Sequence, residues 1–219
     1  DKMADFFVRY VKKVAGTLLP LAKFWITLNE PALVMYFSYM EGTWPPGGTS
    51  LKGGLDAFVN MIRAHAYSYH VLREEALKKN LEVKVGIAHH MRIIDPNHFS
   101  NPLDLYIAWV RAFFLNRLMI ESLEYGTLLP PLGFYKPIPW AKGTQDFLGI
   151  NYYSRDHVAF DFKKPSLLFG KDMKKENLPR SAMQWEIYPR GLFRMLKYRK
   201  KFKLPVYVTE NGIVAQDDT

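Results

Sequence analysis

The chain has 219 residues, of which 48% are hydrophobic and 23% charged; this excludes wholesale disorder and leaves room for one generous domain or two small ones. Cysteine is absent, which removes disulfide frameworks, Cys-ligated zinc, iron–sulfur clusters and thiol catalysis, and leans toward a reducing, cytoplasmic setting. The formal net charge is +9, but the basic residues fall in short runs (Lys78-Lys79, Lys163-Lys164, Lys171 to Lys175, Arg199 to Lys203) that read as solvated faces rather than a nucleic-acid or membrane surface.

The opening Asp1-Lys2-Met3-Ala4-Asp5 has no signal-peptide layout and no initiator Met, so a mature product or a piece of a longer chain is expected. No window approaches the roughly 18 uninterrupted apolar residues of a membrane span. Residues 5–15 repeat apolar side chains at helical spacing and predict a helix ending near Gly16. Residues 23–29 form a short apolar run that reads as a buried strand, followed at once by Glu30-Pro31. Residues 32–41 look helical, and 42–48 are dense in Pro and Gly and predict a loop. A long amphipathic helix is expected over 55–79, a second strand over 83–88 ending in His89-His90, and a loop over 95–102. A helix follows over 105–123, then a Pro-rich connection over 126–143 and a third strand over 147–153. Residues 154–184 read as mostly irregular, 189–202 as a helix and 205–209 as a fourth strand before Glu210-Asn211-Gly212.

Strands alternating with helices, each strand an unbroken apolar run, predict an α/β fold with a parallel sheet. Alternation alone does not separate an open sheet from a closed barrel. Gly-rich phosphate loops are absent, so nucleotide chemistry has no support.

All four strands end in polar side chains, and in parallel α/β folds ligand sites lie beyond the carboxyl ends of the strands. Two glutamates, Glu30 and Glu210, therefore converge on one face from different strands. Each follows an apolar strand directly, so partial burial would raise the pKa of both carboxyl groups and mutual repulsion would raise one of them further; two carboxyl groups with separated pKa values are what glycoside hydrolysis uses. A Glu after a strand is also an ordinary helix-cap neighbour or surface residue, and on position alone the two readings stand level. His89-His90 either line the leaving-group side or pack under a loop. His65 reads as structural, Trp44 as a loop anchor, and His98 and His157 have no evident partner in the sequence.

Four ordered segments make the reading specific. Phe24-Trp-Ile-Thr-Leu-Asn-Glu-Pro31 resembles the T-x-N-E-P segment of the family 1 glycoside hydrolases, the β-glucosidase and β-galactosidase family. Val206-Tyr-Val-Thr-Glu-Asn-Gly212 resembles its I-T-E-N-G segment, Asp146 to Ser154 its D-F-x-G-x-N-Y-Y segment, and Trp185 to Gly191 its W-x-x-x-P-x-G segment. The resemblance implies a (β/α)8 TIM barrel and a retaining double displacement through a covalent glycosyl-enzyme, with carboxyl groups about 5 Å apart. It places Glu30 on the general acid/base, Glu210 on the nucleophile and Asn29 on the residue that holds the sugar 2-hydroxyl. Tyr153 falls on the partner of the nucleophile, Asn151 on a supporting polar residue and Trp185 on the aromatic wall of the leaving-group side. It implies no cofactor, no metal, and a small-molecule β-glycoside as partner, with neither nucleic acid nor membrane.

The resemblance covers barrel strands four to seven only. Residues 1–219 are thus expected to be a single catalytic-domain portion, a partial barrel that needs further segments or self-association. The competing expectation is a non-catalytic glycan-binding remnant, or one half of a barrel completed by another chain.

Overall fold

The computed structural model describes residues 2–215. Helix α1 (Met3–Leu18) leads into strand β1 (Phe24–Asn29), a single turn α2 (Pro31–Leu33) and a π-helical segment Val34–Glu41. Helix α3 (Leu51–Lys78) is followed by β2 (Lys84–Pro96), α4 (Pro102–Asn116) and α5 (Leu118–Tyr125). A small antiparallel pair, β3 (Thr127–Leu128) and β4 (Lys136–Pro137), precedes β5 (Phe147–Phe160), β6 (Gly170–Met173), α6 (Arg190–Arg199) and β7 (Val206–Asn211). Among the described residues no helix is long and apolar enough to cross a membrane.

Strands β1, β2, β5 and β7 are parallel neighbours in that order. Strand β2 lies along one edge of β5 for most of its length, so β7 and the antiparallel β6 share the other edge, β7 at the start of β5 and β6 at its far end. Outward side chains of the parallel strands pack beneath the helices. Ile87 joins the cluster under α3, α4 and α5, Leu148 and Ile150 pack with Met195 and Phe202 of the α6 region, and Val85 packs with Leu72 of α3 and Val11 of α1.

The opposite face is concave. In a flat sheet β1 and β7 would lie about 14 Å apart, three strand spacings. Yet the rings of Phe24 (β1) and Tyr207 (β7) meet edge-on with centroids 5.4 Å apart, and both meet Phe147 of β5, at 5.9 and 5.3 Å. The sheet is therefore curled into an arc with an aromatic floor. Gly86 makes room for it: a Cβ there would lie 2.6 Å from the Phe147 carbonyl oxygen and 2.8 Å from its ring. Phe24 and Tyr207 nevertheless remain 50% and 44% exposed, because β1 and β7 are the open edges of the parallel arc.

Several boundaries differ from the sequence expectation. Helix α1 passes through Gly16 to Leu18. Helix α3 starts at Leu51 rather than 55, because the Ser50 side chain accepts from the Gly53 N–H and caps it; Gly54 then fits against Met35 and Met40. Residues 32–41 are π-helical over most of their length. The helix expected over 105–123 is broken at Arg117. There the Asn116 amide pairs with the main chain of Arg92, accepting from its N–H at 3.1 Å and donating to its carbonyl at 2.7 Å. This clamp sits where the β2/β5 register shifts, between Met91 and Ile93. Strand β2 runs on to Pro96 and β5 to Phe160, so the first residues of the expected loop (95–96) and of the expected irregular stretch (154–160) are strand, paired as far as Pro96↔Val158; apart from β6, most of the remainder of 154–184 is irregular, as expected. Beyond the barrel mouth these strands face a polar cleft, so their sequence loses the apolar run that marks a buried strand.

Candidate active site

Each strand delivers polar side chains at its carboxyl end. Glu30 follows β1 with φ 51° and ψ 49°, a left-handed conformation costing a non-glycine residue about 1 kcal/mol. The Glu30 N–H donates to the Ala88 carbonyl at 2.8 Å and Pro31 opens α2, so the strand end and the helix start fix this residue from both sides.

Asn151 is the hub. It is fully buried, and its side-chain N–H2 donates to Asn29 Oδ1 and to Glu30 Oε1, each at 3.0 Å. Its Oδ1 accepts from the Thr209 hydroxyl at 2.6 Å. Its backbone stands opposite Glu210, just after the register shifts between Ile150 and Asn151. Bulges of this kind re-aim side chains beside active sites. Tyr153, two residues on and so on the same face, donates from its hydroxyl to Glu210 Oε2 at 2.6 Å. Its ring lies 5.7 Å from that of Trp185, which in turn sits beneath the Arg92 guanidinium at 5.5 Å. The structure thus gathers all six residues singled out in the sequence, Asn29, Glu30, Asn151, Tyr153, Trp185 and Glu210, around one cleft.

The histidine pair splits between the two faces. His90 points into the cleft, its Nδ1 3.3 Å from Glu30 Oε1. His89 points outward and pairs with the Gln145 side chain at 3.0 Å. His65 is buried, donating from Nε2 to the Thr144 carbonyl and accepting at Nδ1 from the Thr27 hydroxyl, a satisfied neutral ring. Trp44 packs on Phe37 with centroids 4.9 Å apart, as an anchor does. His98 and His157 do have partners, Asp104 and Glu186.

One electrostatic expectation is corrected. Burial does push the Glu30 carboxyl up, but the hydrogen bonds from His90 and Asn151 and the nearby Arg92 outweigh it and hold the group below its ordinary value. The Tyr153 hydroxyl is pushed up to about 12 by its bond to Glu210 and by burial, so it stays a donor. Among the described residues no Lys, Arg or His lies within ion-pair distance of Glu210, and no group of three or more His, Asp or Glu is placed to hold a metal ion.

Beyond Glu30 the cleft runs between Trp185, His90, Arg92, Tyr36 and Phe37. Its outer wall is braced by Arg155, which bonds both Glu186 and Asp95 and lies 3.9 Å over the Tyr188 ring, while Arg194 of α6 bonds both Asp95 oxygens at 2.8 and 2.9 Å. The sequence singled out neither Arg92 nor this brace. The alternation His90, Arg92 after Gly86 and Ala88 carries the signal for Arg92, since period two places all four on one face.

The sequence profile described as "Glycosyl hydrolase family 1" matches residues 1–127 and 136–219. The chain belongs to glycosyl hydrolase family 1. Its relatives in this family include the "1,4-beta-D-glucan glucohydrolase" of Thermotoga neapolitana, 29% identical over 98% of this chain and 52% of the relative. The "Beta-galactosidase" of Pyrococcus woesei is 29% identical over 97% of this chain and 46% of the relative. Among solved family 1 structures, the β-glucosidase from Thermotoga maritima superposes with a TM-score of 0.83 at 29% identity, over all of this chain and 50% of that one. A β-glycosidase from Pyrococcus horikoshii gives 0.85 at 28% identity over 98% and 48%. The chain spans about half the length of the relatives it matches, and its arc of four parallel strands is a portion of the family 1 TIM barrel.

Proposed function

We propose that this chain contributes the catalytic pair of a retaining β-glycosidase that hydrolyses terminal β-D-glucosides or β-D-galactosides. Glu210 is the nucleophile and Glu30 the general acid/base. The observation that carries the reading is the position of Asn151, which holds Glu30 and Asn29 with its amide while its backbone pairs with Glu210. Two carboxylates from different strands are thereby fixed at one cleft, as double displacement requires. In the first step Glu210 attacks the anomeric carbon while Glu30 gives its proton to the departing oxygen. In the second, Glu30 takes a proton from the water that releases the sugar. Asn29 is the group on this side that reaches the sugar 2-hydroxyl. The names carried by the relatives support the substrate class.

Residues 1–219 act in this reading as a portion of one catalytic domain. The open edges at β1 and β7 and the half-length match to relatives favour completion of the barrel by further strands, from the same polypeptide or another copy or chain. Incubation of the complete protein with a 2-deoxy-2-fluoro-β-glucoside and mass mapping tests the assignment: a single label on Glu210, with β-configured product from the unmodified sugar, is expected. A label elsewhere, or an inverted product, overturns it.

A further inference from the structure

Glu30 receives both of its side-chain hydrogen bonds on the same oxygen. Asn151 donates to Oε1 at 3.0 Å and His90 Nδ1 stands 3.3 Å from it, while Oε2 has no partner among the described residues. The Asn151 group that reaches Oε1 is its N–H2, since its Oδ1 is occupied by the Thr209 hydroxyl. Oε1 is therefore held as an acceptor, and a proton on this carboxyl group belongs on Oε2. The His90 ring is 5% exposed. Burial lowers its pKa, so the ring is neutral, and a neutral ring that donates from Nδ1 carries a bare, accepting Nε2. No side chain or main-chain group among the described residues meets that nitrogen, and His90 lines a cleft with Arg92, Trp185 and Tyr36 whose lining includes neither Glu210 nor Asn29.

The geometry points to His90 as a residue of the leaving-group subsite: Nε2 accepts a hydrogen bond from a hydroxyl of a sugar leaving group while Nδ1–H holds Glu30 Oε1 and leaves the transferable proton on Oε2. This rests on the proposed glycosidase reading and adds a substrate class to it, namely β-linked disaccharides or short oligosaccharides rather than apolar aryl or alkyl glycosides. The balance of the step is simple. The Oε2 proton passes to the glycosidic oxygen as the C–O bond breaks, the bond's electron pair stays on that oxygen, and His90 changes neither charge nor proton count. The other groups facing this corner are Arg92 on the same strand, Asp156 and Tyr153 on β5 and Glu210 on β7. Arg92 offers only donors, and its Nη1 is held by both Asp156 oxygens, at 3.0 and 3.1 Å, so beside Glu30 an accepting contact to a leaving-group hydroxyl falls to His90.

Two variants separate the two bonds, because an Asn amide can occupy the place of Nδ1 and a Gln amide that of Nε2. The readouts, in the complete protein, are the ratio of kcat/KM for cellobiose to that for 4-nitrophenyl β-glucoside, and the alkaline limb of the pH profile. His90→Asn is expected to lower the ratio about tenfold and leave the limb in place. His90→Gln is expected to keep the ratio and move the limb up by about one pH unit, because Glu30 loses a donor that favours its ionised form. An unchanged ratio in His90→Asn, or a limb that moves equally in both variants, overturns the proposal. Nitrogen-15 spectra of the unsubstituted imidazole keep it falsifiable should a variant misfold: Nδ1 protonated and Nε2 bare at neutral pH is expected, and the opposite tautomer overturns it. In Glu210→Gln, which cannot turn over, added cellobiose should shift the Nε2 signal; no shift at saturation counts against the subsite. A protein that binds cellobiose at His90 but hydrolyses nothing would instead refute the glycosidase reading alone.

Discussion

The Tyr153 hydroxyl and Glu210 Oε2 stand 2.6 Å apart, and this bond is the one side-chain hydrogen bond that Glu210 makes among the described residues. Hydrogen bonds to charged groups contribute about 1.5–3 kcal/mol, so Tyr153→Phe is expected to lower kcat/KM by roughly 10- to 100-fold in the complete protein. Because the hydroxyl titrates only near pH 12, its contribution should not vary between pH 5 and 9 (about the range such assays cover). Steady-state kinetics of the variant across that range checks both statements.

The division of labour between the glutamates predicts opposite responses to an external nucleophile. Glu210→Ala is expected to abolish hydrolysis and to be rescued by azide with formation of the inverted, α-configured glycosyl azide, since the anion enters the space the carboxylate leaves. Glu30→Ala is expected to lose about 10²–10⁴-fold on basic leaving groups and much less on activated aryl ones, because proton donation matters most where the departing oxygen is a strong base. Identical losses for the two variants on every substrate would show the roles to be misassigned.

Two histidines behind the sheet predict acid lability. Burial lowers His65 to about 4 and His89 to about 3, against an ordinary 6.5, with the bonds to Thr144 and Gln145 opposing it. The unfolded chain therefore takes up protons before the folded one. Stability is full above about pH 6.5 and falls as pH drops through the interval toward the folded values. Between pH 7 and 5 each ring is expected to remove roughly 2 kcal/mol. Urea midpoints of the complete protein at the two pH values, alongside His89→Asn, measure it; an equal pH effect in that variant would refute the assignment for His89.

The half-length match and the exposed rings of Phe24 and Tyr207 predict that the 219 residues alone neither remain monomeric nor turn over substrate. Unpaired edge groups and apolar patches drive association. Sedimentation should show association or a poorly folded chain, and Phe24→Lys with Tyr207→Lys should reduce the association. A cooperatively folding monomer that hydrolyses an aryl glucoside would refute the prediction.

The strand cores and the glutamates at their ends were legible because an apolar run that stops at a polar pair is the pattern a buried parallel strand leaves where it reaches the mouth of a cleft. The alternation of the strands with helices gave the parallel sheet, while their order as consecutive strands of a barrel was implied only by the resemblance to family 1. The extensions of β2 and β5 were not legible, because past His89 and Tyr153 both strands face polar neighbours and their residues no longer differ from a loop's. The pull on the Glu30 carboxyl was read with the wrong sign for a related reason. Burial is visible in an apolar neighbourhood along the chain, whereas the donors that outweigh it, His90 and Asn151, come from other strands. His89 and His90 could not be told apart until the register of β2 against β5 gave each a face.

The rings of Phe24, Phe147 and Tyr207 have a bearing on assembly. A sheet that curls only on meeting its other half must be bent and paired in one concerted event. Here three aromatic side chains from within the chain already hold the first and last parallel strands at the chord of an arc. Whatever closes the ring meets a gap of set width, so the fit is decided by the number and tilt of the incoming strands: too few fail to reach across, and too many are extruded. The floor of the barrel thereby acts as a gauge for its completion.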